Sequence, residues 1–114
     1  MRYNQKQQNF LLASKVKEFN SKLWELEKVL PHKENALKDK IVYDSLQLLE
    51  LVYEGNLLKS NDSKFKMLIK ISMLDYYFNI LFEKKYIGEK QLRYYGYRLE
   101  EITKMVYGWI KSES

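Results

Sequence analysis

The sequence predicts an all-α fold, an antiparallel up-down-up-down four-helix bundle, and three observations carry that prediction. Apolar residues recur at alternating spacings of three and four along four separate stretches, the pattern of helices that pack at shallow angles. One proline and four glycines in 114 residues leave little to interrupt long helices. The segments joining the four stretches are short, which makes successive helices antiparallel neighbours. No strand pattern, internal repeat or low-complexity segment competes with this reading. The chain 1–114 reads as one domain, long enough to bury roughly two-thirds of its extended surface.

The first helix is expected over about 7–30. Leu12, Val16, Phe19, Leu23, Leu26 and Leu30 make its seam, and Phe10, Leu11 and Trp24 widen the apolar face. Pro31 closes it, because the residue before a proline is pushed out of the helical region. The connection 31–35 leads into a second helix over about 36–54. It carries two lines, Leu37, Ile41, Leu48 and Val52 on one and Val42, Leu46, Leu49 and Tyr53 on the other. Gly55-Asn56 is expected to form a left-handed stop. Within Ser60-Asn61-Asp62-Ser63, Asp62 or Ser63 is expected to cap the third helix, over about 64–86. Met67, Ile71, Leu74, Phe78 and Leu81 form one seam, and Ile69, Met73, Tyr76 and Ile80 a second. Being apolar nearly all round, it should be the most buried helix.

Gly88 separates it from the fourth helix, over about 89–111. There Leu92, Tyr95, Leu99, Ile102, Val106 and Trp109 form an unbroken stripe, with Tyr94, Tyr97 and Met105 beside it. One seam per helix already fills a bundle. The surplus stripes, rich in tyrosine, predict self-association, since exposed apolar patches with tyrosine mark interaction surfaces.

Much chemistry is excluded. There are no cysteines, so disulfides, thiolate zinc sites and cysteine nucleophiles cannot occur. His32 is the sole histidine, follows Pro31 in a loop, and cannot supply the paired Glu-x-x-His motifs of a di-iron bundle. No glycine-rich phosphate loop or EF-hand is present. Paired acids such as Glu25 and Glu27, or Glu100-Glu101, lie beside lysines as ordinary surface ion pairs. No enzyme activity, cofactor or metal is expected. The most apolar run, Met67 to Phe82, is 16 residues and contains Lys70 and Asp75, too short and too charged for a membrane span. The polar start MRYNQKQQN carries no signal-peptide core, so a cytoplasmic location is expected.

The net charge is +5. Residues 1–30 hold six basic and three acidic side chains, 31–60 four and five, 61–88 five and three, and 89–114 five and four, so helix two is the acidic one. The candidate nucleic-acid-binding cations are Lys64, Lys66 and Lys70 entering helix three, Lys84 and Lys85 leaving it, and Lys90, Arg93, Arg98 and Lys104 on helix four. Lys90, Arg93 and Tyr97 share a face at i, i+3, i+7, followed by Lys104. Tyrosine between cations suits phosphates and bases together. Assembly of several copies would multiply the modest charge into a strong field.

Three stretches carry a family resemblance: LWELEKVLPHKENALKDKI, KFKMLIKISMLDYYFNILF and, most specifically, LEEITKMVYGWIKS. The chain resembles the accessory variability determinant (Avd) proteins of diversity-generating retroelements. These lie within the wider four-helix bundle family related to the bacterial 23S rRNA intervening-sequence protein. The resemblance runs from about Phe10 to Ser112. It implies a pentameric barrel with a positive surface that binds reverse transcriptase and nucleic acid, template RNA or cDNA, and supports mutagenic retrohoming without catalysing it. Where intervening-sequence relatives tend to carry N-I-A-E-G, this chain reads LVYEGN, keeping Glu54-Gly55. Asp75 and Asn79 stand where Avd proteins often carry arginines on helix three. Two alternatives stand beside the Avd reading, an rRNA-binding protein of the intervening-sequence type and a purely protein-interaction scaffold.

Overall fold

The computed structural model describes residues 5–113, with side chains described from Phe10 onward. It holds α1 (Gln5–Leu23), α2 (Asn35–Leu58), α3 (Asn61–Glu83) and α4 (Glu89–Ser112), with no strand among the described residues. The four form a bundle in which α1 packs on α2 and α4, and α3 on α2 and α4. No described helix is long and apolar enough to cross a membrane.

The heptad seams supply the core. Leu12, Val16, Phe19, Leu23 and Leu26 are buried from the first segment, and Tyr95, Leu99, Ile102, Val106 and Trp109 from α4. At mid-height Phe78 stacks on Tyr95 with ring centres 4.4 Å apart, while Phe19 meets both edge-on at 6.0 and 6.2 Å. Offset stacking and edge contacts suit the ring quadrupoles and add to plain area burial. The Tyr95 hydroxyl donates to the Lys22 carbonyl at 3.4 Å, and burial pushes its pKa up to about 12.

The first helix does not stay α-helical to Leu30. After Leu23 the chain tightens into a 3-10 turn, Trp24–Lys28, and a second one follows Pro31 at His32–Glu34. In a 3-10 turn, side chains three apart eclipse, so Leu23 and Leu26 both stay in the core. Phe10, Leu11 and Trp24, expected to widen the apolar face, are exposed.

Helix α2 runs past Gly55 and stops at Lys59, which takes the left-handed conformation at φ 53 and donates its N–H to the Gly55 carbonyl. Gly55 serves a different end. It is buried on the inner face of α2, where a Cβ would lie 2.6 Å from Cη2 of Trp109. The glycine lets the α2 backbone approach the indole. Lys59 can end the helix because the αL turn satisfies a free carbonyl despite its steric cost.

Ser60 caps α3, its Oγ accepting the Asp62 N–H at 3.2 Å. Ser63 is instead buried and donates to Glu54. At the far end Lys85 is left-handed at φ 66. Its N–H bonds the Phe82 carbonyl and that of Tyr86 bonds Leu81, a Schellman closure without glycine. The inner seam of α3 is buried as expected, but the helix is not apolar because it is enclosed. Phe65, Ile69, Met73 and Tyr76 lie on its exposed outer side.

Two polar features sit inside. Asp44 and Ser45 fill the gap between Ile41 and Leu48 on the α2 seam. Asp44 accepts from Lys40 and Lys70, each at 3.1 Å, and Ser45 bonds Asn20 of α1. At one end of the bundle Trp109 donates its indole N–H to Glu113 at 2.8 Å, and the Lys64 ammonium lies 4.7 Å from the ring centre.

Candidate nucleic-acid interface

The outward line of α4 is built by the same periodicity that builds its core. With the 3-4 stripe of Leu92 to Trp109 turned inward, the residues two before each seam position must face water. They are Lys90, Arg93, Tyr97, Glu100, Lys104 and Tyr107, with Lys111 four residues further along the same line, and all are exposed. Four cations and one acid share this row with two tyrosines, Tyr97 being 69% and Tyr107 57% exposed. From Lys90 to Lys111 it extends about 32 Å at 1.5 Å per residue. That matches roughly nine steps of one DNA strand at 3.4 Å. Lys104 pairs with Glu100 at 3.3 Å on the surface, whereas Lys90 and Arg93 enter no ion pair among the described residues. An exposed i, i+4 pair contributes little and is easily exchanged for a phosphate.

The nine predicted cations therefore divide. Lys90, Arg93 and Lys104 come together on the α4 row. Lys85 is exposed beyond the end of α3, and Lys66 is exposed on the α2–α3 side. Lys64 is not a surface cation. It is fully buried and donates to Asn61 at 3.0 Å and to Glu113, beneath the Trp109 ring, so no phosphate reaches it. Lys70 is spent on Asp44, and Lys84 holds Glu34 at 2.9 Å, tying the end of α3 to the turn before α2. That ammonium and the nearby Tyr86 hydroxyl hold the Glu34 carboxyl below its ordinary range. Arg98 bridges Glu18 of α1 at 3.1 Å and Glu101 at 3.7 Å while lying 5.2 Å from the Tyr94 ring centre. It fastens α4 to α1.

Tyr107 and Lys111 were absent from the sequence-derived set, although continuing from Lys104 by three and then four residues would have found them. On the neighbouring α3–α4 groove, Asp75 and Glu100 make the lining acidic. Asn79 is turned back to donate to the Asp75 carbonyl at 2.8 Å, so positions 75 and 79 offer no cation. Among the described residues no group of three or more His, Asp or Glu side chains is placed to hold a metal. His32 is exposed in its 3-10 turn. Charge and ring faces are what the α4 row presents.

One solved structure shares the architecture. It is a protein of unknown function from the S23 ribosomal protein family of Bacteroides thetaiotaomicron, matching with a TM-score of 0.80 over 91% of this chain and 98% of that one. The likeness is one of fold. Sequence identity is 18%, no protein-family model matches the chain, and no curated protein matches it by sequence.

Proposed function

We propose that this chain is a non-catalytic accessory protein that binds nucleic acid along α4 and works as an assembly of several copies. The observation that carries the reading is the exposed row in which Lys90, Arg93 and Lys104 share one line with Tyr97 and Tyr107. Lysine and arginine attract phosphates irrespective of sequence, and tyrosine faces stack on any base. Self-association is supported by the apolar outer sides of α2 and α3, which a single bundle leaves in water. The up-down-up-down order belongs to the same reading. It is supported by the contacts of Lys15 with Glu101 and of the Lys22 carbonyl with Tyr95, which suit opposite senses for α1 and α4.

The resemblance of LEEITKMVYGWIKS to the Avd ending extends the proposal to a reverse transcriptase partner, template RNA or cDNA, a pentameric ring and a cytoplasmic setting. A second reading, an rRNA-binding protein of the intervening-sequence type, is favoured by the fold neighbour from a ribosomal protein family. Both readings place nucleic acid on the protein. A protein-interaction scaffold would not.

Fluorescence anisotropy with single-stranded RNA and DNA tests the shared part. Binding should weaken steeply between about 50 and 200 mM salt. The Lys90→Gln/Arg93→Gln/Lys104→Gln variant should reduce the log-log salt slope by about 2, three contacts at roughly 0.7 each. Absence of binding at low salt would leave the scaffold reading. Co-purification with ribosomal RNA, or capture of a reverse transcriptase, separates the two nucleic-acid readings.

A further inference from the structure

The surface where α2 meets α3 has no part in phosphate binding, yet it carries apolar side chains. Ile69 of α3 lies open to water there beside the half-buried Leu51 of α2, and the exposed Leu57 follows Glu54 by three residues on the same side of α2. A shallow groove runs between the helices, with Glu50 and Glu54 along its α2 edge and Lys66 and Lys70 along its α3 edge. The face thus carries both members of a charge pair, one on each side of an apolar centre. Lys70 is tied to Asp44 and Glu54 to Ser63. Glu50 and Lys66 are exposed and in no ion pair among the described residues. Gln47, in the same groove, donates its Nε2 to the Tyr43 hydroxyl at 3.0 Å. Its buried Oε1 has no donor among the described residues.

We infer that this face is the contact between copies of the chain. The acidic α2 edge of one copy, centred on Glu50, meets the basic α3 edge of another, centred on Lys66. The proposal rests on the self-association reading and adds where, and through which charges, the copies join. Apolar burial supplies the attraction, while opposite charges at the rim fix which edges meet. A surface that carries its own complement matches a second copy of itself about a two-fold axis, a pairing contact distinct from the head-to-tail one that closes a ring. Nucleic acid is a poor occupant, because Glu50 and Glu54 would face its phosphates.

Sedimentation equilibrium of the full chain, Glu50→Lys, Lys66→Glu, the double swap, and an equimolar mixture of the two single variants provides the test. Circular dichroism melts show that each variant folds. The wild type should sediment at a multiple of 13.9 kDa. Each single swap juxtaposes like charges and should weaken assembly by about tenfold or more. The double swap and the mixture both restore opposite signs and should recover it. Single swaps that assemble like the wild type, or a double swap and mixture that fail to recover, would overturn this contact while leaving self-association intact. A wild type that is monomeric at micromolar concentration would overturn both.

Discussion

Replacing Gly55 with alanine separates two opposing effects whose sizes can be set against each other. Three glycines lie within helices, Gly55 in α2 and Gly96 and Gly108 in α4. Alanine in a helix interior is favoured over glycine by about 0.5–1 kcal/mol because it has less backbone freedom to lose. At Gly96 and Gly108 an added Cβ meets nothing within 4 Å, so that gain should appear undiminished. At Gly55 the same Cβ would lie 2.6 Å from Cη2 and 3.3 Å from Cζ2 of Trp109. The ring is rigid and held from the other side by its bond to Glu113 and the ammonium of Lys64. Wedging a methyl into such packing costs about 1–3 kcal/mol. Gly55→Ala should therefore melt below Gly108→Ala by about 4–8 °C per kcal/mol of that cost, the scale for a domain near 100 residues. Thermal melts followed by circular dichroism measure the gap. Repeating the pair in a Trp109→Leu background, where the wedge is relieved, should turn Gly55→Ala stabilising. If Gly55→Ala melts as high as Gly108→Ala in the native background, the close approach of α2 to the indole is wrong.

Trp109→Ala should destabilise by about 3–5 kcal/mol, since the ring is almost wholly buried and anchors one end of the core; a near-neutral melt would mean that the ring faces outward. Acid stability should depend on Glu113. Burial raises its pKa, but hydrogen bonds from Lys64 and Trp109 outweigh that and leave the carboxyl below its ordinary value of 4.5. A depressed carboxyl contributes stability above its unfolded pKa and loses it as pH falls through the folded one. The melting-temperature difference between wild type and Glu113→Gln should therefore be full at neutral pH and shrink below about pH 4.5. A difference that persists unchanged in acid would refute the assignment.

The buried seams were legible because core positions in a bundle repeat at three and four, and such a repeat needs no knowledge of the partner helix. Helix ends were less so. Gly55 looked like a stop because glycine favours left-handed turns, and its actual service to Trp109 depends on a residue far along the chain. Lys64 illustrates a signal present but outweighed by expectation. It lies three residues before Met67, on the Met67–Ile71–Leu74 line, and so belonged to the inner face despite its charge. Asp44 and Ser45 likewise occupy the missing step between Ile41 and Leu48. Charge alone could not sort the cations, because Lys70, Lys84 and Arg98 are matched by carboxylates on other helices or turns. The α4 row was readable in part, since an outward line at helical spacing follows from the inward one.

The bond between Lys64 and Glu113 has a practical corollary. Glu113, the residue that follows α4, is a structural tie at the foot of the bundle. Trimming the last two residues would leave an enclosed ammonium without its carboxylate, a loss costing several kcal/mol when a charge is left uncompensated inside a protein.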